Sequence, residues 1–409
     1  MNTRPSAALP CLRPALVALG IAILGLSSAW AQESWWKGNL HTHTLWSDGD
    51  DYPEMVLDWY KSRGYHFVAL SDHNILSQGT KWVHPEQAID EEPRNRLRLY
   101  LERFGDDWVE IDRTAGQTAV RLKTFDEYSE LMEEPGSFLV IQAEEITADF
   151  QGRPVHVNAT NVAEFIPPRG GKTLLEVFRN NIDAVWEQRR RTRQRMFPHL
   201  NHPNFRDGIT IEEFASILGE RFFEVYNGHQ GVFNDGGPEK VSTEKLWDHA
   251  LTRRLTMRGQ PLYGLAVDDA HVFARMTTAV PNPGRGWVQV RAAELTTEAI
   301  VEAMEAGNFY ASSGVELDEL HSGDGRIALR IRAEPGEVYI TQFIGTKRLR
   351  RVRLGEIGEV LHQETGLEPS YDLRGDELYV RARIVSTRPK HNGYRDGEVE
   401  MAWTQPLLR

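Results

Sequence analysis

His41 and His43 stand one residue apart in LHTHTLWSDGD, and Asp48 follows five positions after His43. Along an extended chain alternate side chains share a face, so the two imidazoles point the same way. Imidazole is the commonest biological metal ligand, and a pair with a nearby carboxylate makes half of a cation site. Two polar residues on a half-exposed strand would leave the same trace, so the rest of the chain must decide. HFVALSDHN ends in Asp72, His73 and Asn74, and SFLVIQAEEIT reaches Glu144 and Glu145. RPVHVNATNV carries His156, MFPHLNHPN carries His199 and His202, and RFFEVYNGH ends in Asn227 and His229. LYGLAVDDAHVF ends in Asp268, Asp269 and His271. Such groups chelate divalent cations and move protons. The sole cysteine, Cys11, lies in the N-terminal segment, so any metal is to be held by nitrogen and oxygen.

Each of these runs has the length and the β-branched or aromatic content of a buried strand. Helical periodicity fills the gaps in YPEMVLDWYKSRG, KTLLEVFRNNIDAVWEQRR, TIEEFASILGE and STEKLWDHALTRR, with Gly64 and Gly219 placed to end helices. Alternating strands and helices predict βαβ units on a parallel sheet, an α/β fold. In a closed β/α barrel the functional groups gather where the strands end, and these polar residues fall there. Past NFYASSGVEL the pattern becomes alternating: Ile327, Leu329 and Ile331 against Arg326, Arg330 and Arg332, then Val380, Ala382 and Ile384. That predicts a small antiparallel β domain over 316–409 behind a barrel over 32–315. The charged insertion 85–137 is read as a lid over the rim.

Residues 1–31 combine arginines, the apolar run ALVALGIAILGL and Ala29-x-Ala31. This is the pattern of a cleavable export signal, giving a secreted or periplasmic chain with no membrane span once mature. The net charge of −12 excludes a general nucleic-acid binder, which needs a basic face. The basic runs 187–195 and 347–353 read as solvated faces. An acidic protein accepts an anionic substrate when its site brings its own positive charge, which divalent metals supply.

In order, HTHTLWSDG, SDHN, EEIT, HVNA, NHPN and DDAH resemble the motifs of the polymerase and histidinol phosphatase (PHP) domain over roughly residues 35 to 315. The resemblance implies a distorted seven-stranded β/α barrel with two or three divalent ions (Mn, Zn or Fe) and cleavage of phosphate esters. Carried over residue by residue, a first metal takes His41, His43, Glu145 and Asp269. Glu145 bridges to a second held by His156 and His202, and a third takes Asp48, His73 and His271. Many relatives have histidine where this chain has Asp48, a harder ligand. Glu145 is preferred to Glu144 by its place before the apolar-Thr pair. Asp269 is preferred to Asp268 because it stands two before His271, and His202 to His199 because a proline ends the strand after it.

The expected chemistry is attack by a metal-bridging hydroxide on a small phosphate monoester or diester, with metals about 3.5–4 Å apart. Asp72 and Asn227 are expected to orient ligand imidazoles. His229 is the candidate proton donor to the leaving group, and Arg275 or Arg285, ahead of Arg153, the phosphate clamp. A carbamate or other ester hydrolase would use the same site, and a non-catalytic metal-binding module is the alternative from another class. The sequence leaves oligomeric state open.

Overall fold

Seven strands carry or immediately precede the motif residues: Ser34–Asn39, Phe67–Leu70, Leu139–Phe150, Arg153–Thr160, Phe197–Leu200, Phe222–Asn227 and Tyr263–Val267. In this computed structural model, which describes Met1 and residues 33–85, 92–206, 208–348 and 356–409, they lie side by side in chain order. The export signal lies outside the described residues apart from Met1, as do positions 86–91 of the insertion and most of the second basic run. The outermost strands of the seven meet again past their ends. Asp269 N–H donates to His41 O at 2.9 Å and His43 N–H to Ala270 O at 2.9 Å. Leu40, just past the first strand, and Phe67, Ala69, Ile141, Ala143, Phe197, Phe222, Leu265 and Val267 from the others form one buried apolar cluster. Their alternate neighbours pack on helices, as period-2 patterning requires.

The expectation of a uniformly parallel sheet is corrected at one strand. Leu139–Phe150 and Arg153–Thr160 are antiparallel, and Arg153–Thr160 is antiparallel to Phe197–Leu200 as well. The cause is local. Gln151 and Gly152 both take positive φ, 54° and 81°, the two-residue turn that closes hairpins. The helices Pro53–Lys61, Leu174–Thr192 and Thr243–Thr256 form where periodicity placed them, whereas TIEEFASILGE gives only the single turn Ile211–Phe214. Thr173, Ser242 and Thr210 accept the N-terminal amides of these last three segments.

The main sheet does not stop at Ser34–Asn39. Trp287–Ala292 pairs antiparallel with it, followed by Phe309–Ser312, Val399–Thr404, Glu377–Pro389, Tyr339–Lys347 and Glu359–Thr365. A separate sheet of Leu317–Gly323, Arg326–Ile331 and Ser370–Asp372 shares its core, with Ile327, Leu329 and Ile331 packed against Phe343, Ala382 and Ile384. The opposite face of Glu377–Pro389 carries a buried arginine: Arg381 is held by Asp248 and Glu244 of helix Thr243–Thr256. The insertion holds helices Glu92–Phe104 and Phe125–Met132 and two strands, Ile111–Asp112 and Ala119–Arg121, which complete a three-stranded sheet with Trp82–Val83 just before it. Its Arg96 binds Asp50 and Asp51, while Asp50 accepts Phe273 N–H at 2.8 Å and donates its own N–H to His271 O at 2.8 Å. Among the described residues no helix is long and apolar enough to cross a membrane.

Candidate metal centre

The backbone builds the centre before any side chain is considered. His73 bridges Glu145 in parallel register, Asn74 N–H donates to Glu145 O, and Glu145 N–H to Asp72 O. Together with the 41–43 to 269–270 lacing, this leaves the ligand-type residues little freedom to drift. Asp269 and His202 hold positive φ, 51° and 21°, a strain of about 1–3 kcal/mol for a non-glycine residue. Such strain persists only where surrounding structure enforces it.

Glu145 is buried at the middle. Its Oε2 lies 3.1 Å from His41 Nε2, 3.3 Å from His43 Nε2 and 3.0 Å from His73 Nδ1. Its Oε1 faces His156 Nδ1 at 2.8 Å and His202 Nε2 at 3.6 Å. Asp269 Oδ1 stands 3.3 Å from His41 Nε2, 3.2 Å from His43 Nε2 and 3.7 Å from His271 Nδ1. The half-exposed Asp48 closes the outer side, 3.4 Å from His271 Nε2, 3.6 Å from His73 Nε2 and 3.7 Å from His43 Nδ1. All nine residues of the expected ligand set therefore lie in one cluster. His43, Asp48, His73 and His271 can each offer one atom within 4.8 Å of the others, as can His41, His43 and Glu145, or His73, Glu145 and His156. The donor atoms converge and satisfy one another only in part: His41 Nε2 pairs with Glu145 Oε2 at 3.1 Å and His43 Nε2 with Asp269 Oδ1 at 3.2 Å. His156 Nδ1 is buried with no hydrogen bond although Glu145 Oε1 is 2.8 Å away, the geometry of lone pairs aimed at a common point. This donor set of imidazoles and carboxylates fits divalent ions.

The rejected neighbours point elsewhere. Glu144 accepts Ile166 N–H, and burial pushes its pKa up to about 8. Asp268 accepts the amides of Gly284, Arg285 and Gly286. His199 sits deeper, 3.2 Å from Glu224 Oε1, and with His41 and Glu224 makes a further buried group whose ligand-type atoms lie within 4.8 Å of one another. Glu224 itself escaped the sequence reading, since RFFEVYN looks like a plain buried strand. It is fully buried and contacts His41 Nδ1 at 2.6 Å, accepts His202 N–H at 2.6 Å and takes Asn227 Nδ2 at 2.8 Å. By engaging Nδ1 it turns Nε2 of His41 toward Glu145 and Asp269, the role of a carboxylate behind a ligand imidazole. Asn201, also missed, donates to Glu145 Oε1 at 2.8 Å. The one available signal for Glu224 was a charge inside an apolar run.

Several expected roles change. Asp72 and Asn227 do not orient imidazoles. Asp72 takes Thr44 and Ser47, fixing the turn that presents Asp48, and Asn227 ties Glu224 to Asp269. Arg285 is no phosphate clamp. It is fully buried, and its five N–H groups go to Asn392 O, Gly228 O, Val280 O, Thr277 O and Asn282 Oδ1. No donor remains for a substrate. Arg285→Met is accordingly expected to cost about 2–4 kcal/mol in urea unfolding by stranding those carbonyls. A raised KM at unchanged stability would restore the clamp. Arg153 is held bidentately by Glu213, whereas Arg275 is exposed on the loop that carries His271. Arg206, not foreseen, is exposed with its guanidinium 5.1 Å from the Phe205 ring centroid, and that ring lies 4.9 Å from His202 and 5.3 Å from His229.

Burial disfavours charge on every imidazole here, but the carboxylates outweigh it at four. His41 is held well above its ordinary pKa by Asp269, Glu224 and Glu145, His73 rises to about 9 beside Glu145, and His202 and His271 also rise. His43 falls to about 3 because burial and the stacked His271, 4.0 Å away, both oppose its cation. Protons thus carry the positive charge that the carboxylates demand in the metal-free protein, and metals must displace them. Divalent-ion affinity is expected to climb with pH until His73 deprotonates near about 9, by about tenfold per pH unit for each proton released. Competition with a chelating dye across that range checks it, and a flat profile would contradict it. Linkage gives the opposite sign for the metal-free fold. Protonated His73 stabilises it fully below the ordinary 6.5, and that contribution is lost as pH rises through about 9.

No family model and no curated protein matches the chain. Solved structures similar to it include a two-domain protein containing a predicted PHP-like metal-dependent phosphoesterase from Bacteroides vulgatus ATCC 8482. That likeness has 14% identity over 92% of this chain and 96% of that one, at a TM-score of 0.41. Another is a protein from Bifidobacterium adolescentis ATCC 15703 named by prediction as a metal-dependent phosphoesterase, 13% identical over 61% of this chain and 91% of that one, TM-score 0.30. On its own geometry, the chain is a mixed α/β protein with a large central sheet and a His/Asp/Glu cluster able to hold metal.

Proposed function

We propose that this protein is an exported metal-dependent phosphoesterase acting on a small phosphate monoester or diester, with its ions held at the rim of a seven-stranded β/α barrel. One observation carries the reading: the two oxygens of buried Glu145 face two different histidine sets, His41, His43 and His73 on one side, His156 and His202 on the other. A carboxylate in that position could serve an ion on either side, with His41, His43 and His73 or with His156 and His202 as its partners. The lacing of residues 41–43 to 269–270 supports ring closure, and the N-terminal pattern in the sequence supports export.

When bound, paired divalent ions supply a Lewis acid for the phosphoryl oxygens and an activated water. The chain's own groups do the rest. Asp269 and Glu145 fix the inner ligands, while Asp48, on the open side, leaves access from solvent. His229 accepts Gly231 N–H on Nδ1, and burial lowers its pKa to about 4. At neutral pH it therefore presents Nε2–H as a hydrogen-bond donor, suited to a substrate or leaving-group oxygen. Arg206 and Arg275 are exposed guanidiniums on the segments that carry His202 and His271, and guanidinium matches phosphate bidentately.

The test is to strip the protein, reload it separately with manganese, zinc or iron, and assay p-nitrophenyl phosphate, bis-p-nitrophenyl phosphate and a 1-naphthyl carbamate. Turnover of the phosphate esters that disappears in His43→Ala supports the proposal. Turnover of the carbamate alone would make it a carbamate hydrolase, and full metal occupancy without turnover a binding module.

A further inference from the structure

Away from the histidine cluster, and sharing no lining residue with it, lies a cavity of about 600 Å³. It opens between the end of helix Pro53–Lys61, the strands Ser34–Asn39 and Trp287–Ala292, and the turns at 276–284 and 390–393. Its walls include Trp59, Tyr65 and Trp287, with Met276 partly exposed at the surface. Lys37 projects into this wall. Its Nζ lies 3.8 Å from the Trp287 ring centroid and 4.5 Å from that of Tyr65, and it makes no hydrogen bond or ion pair among the described residues. Burial lowers the Lys37 pKa against the pull of Glu316 and Asp268.

The other half-buried charges of the lining are accounted for. Lys390 is taken by Tyr226, Arg285 O and Glu398, and Glu400 faces Arg388. Within the same wall the Tyr65 hydroxyl and Trp287 Nε1 are buried without hydrogen-bond partners. Arg63, stacked 4.2 Å from the Trp59 ring centroid, adds an exposed cation. A lysine set among aromatic rings without an acceptor leaves its ammonium incompletely solvated, and an anion entering beside it would complete the shell. A phosphate dianion needs more donors than one half-buried ammonium offers. A carboxylate needs fewer, and the aromatic walls suit a flat body.

We propose that this cavity is a second binding site, for a small planar organic carboxylate whose charge pairs with Lys37 and whose ring lies against the Trp59 wall. The site is independent of the phosphoesterase reading, and it is tested by binding alone.

The experiment titrates the full, metal-free chain by calorimetry with indole-3-acetate and with the neutral indole-3-acetamide. Saturable binding of the acid is expected, at least about tenfold tighter than the amide, which is about 1.4 kcal/mol. Lys37→Met, which keeps the stem against Trp287, is expected to abolish that preference. No saturable binding of the acid, equal affinity for acid and amide, or a preference that survives Lys37→Met would each overturn the site and leave Lys37 as a packing residue on two aromatic faces. Should the variant fail to fold, the comparison of acid and amide in the native chain decides.

Discussion

Glu145→Gln is expected to cause the largest loss of any single substitution. The amide keeps the shape but replaces one carboxylate oxygen with an N–H donor and removes the charge. Whichever way it turns, one histidine set, His41/His43/His73 or His156/His202, faces a group that repels a cation. Loss of an outer partner of a metal ligand costs roughly 10–100-fold, and a bridging ligand should exceed that, with kcat/KM down by more than about 100-fold. Elemental analysis should show at least one ion gone from the purified variant. Retention of both metal and activity would remove Glu145 from the centre.

Glu224→Gln ranks second, and it separates orientation from ligation. Glu224 touches no position in the expected ligand set except through His41 Nδ1 and the His202 amide. His41 and His199 hold its carboxyl down to about 2 in spite of burial, so at working pH it is an anion. The neutral amide can still accept once from His41, but on its other side it sets an N–H against the His202 and Asn227 donors. Metal affinity by chelator competition should fall roughly 10–100-fold, and the metal-free fold should lose about 1–3 kcal/mol for the stranded buried donors. A stability loss with unchanged metal affinity would reduce Glu224 to a core polar residue.

Residue chemistry, together with the order of motifs that resembles the PHP domain, was enough to select the cluster from the chain. Alternation separates Glu145 from Glu144, because neighbours on a strand face opposite ways, whereas Asp269, past the end of its strand, is turned away from Asp268 by its positive φ. The proline after His202 separates it from His199, which the sheet carries deeper. These are local facts, so local sequence states them. The hairpin at Gln151–Gly152 was also local, but two positive φ values in a row are only weakly written in Gln-Gly, and the strand beyond was read as parallel. Tertiary structure alone decided the supporting contacts. Arg285 spends its donors on carbonyls from residues 228 to 392, and no motif records that such distant backbone converges on one guanidinium. Glu224 and Asn201 gain their roles from strands brought alongside, and Arg381 is buried because helix Thr243–Thr256 lies across its sheet. Which residues can serve as ligands follows from side-chain chemistry, which the sequence spells out. The partners of each charge depend on which distant segments pack together, and only the folded chain sets that.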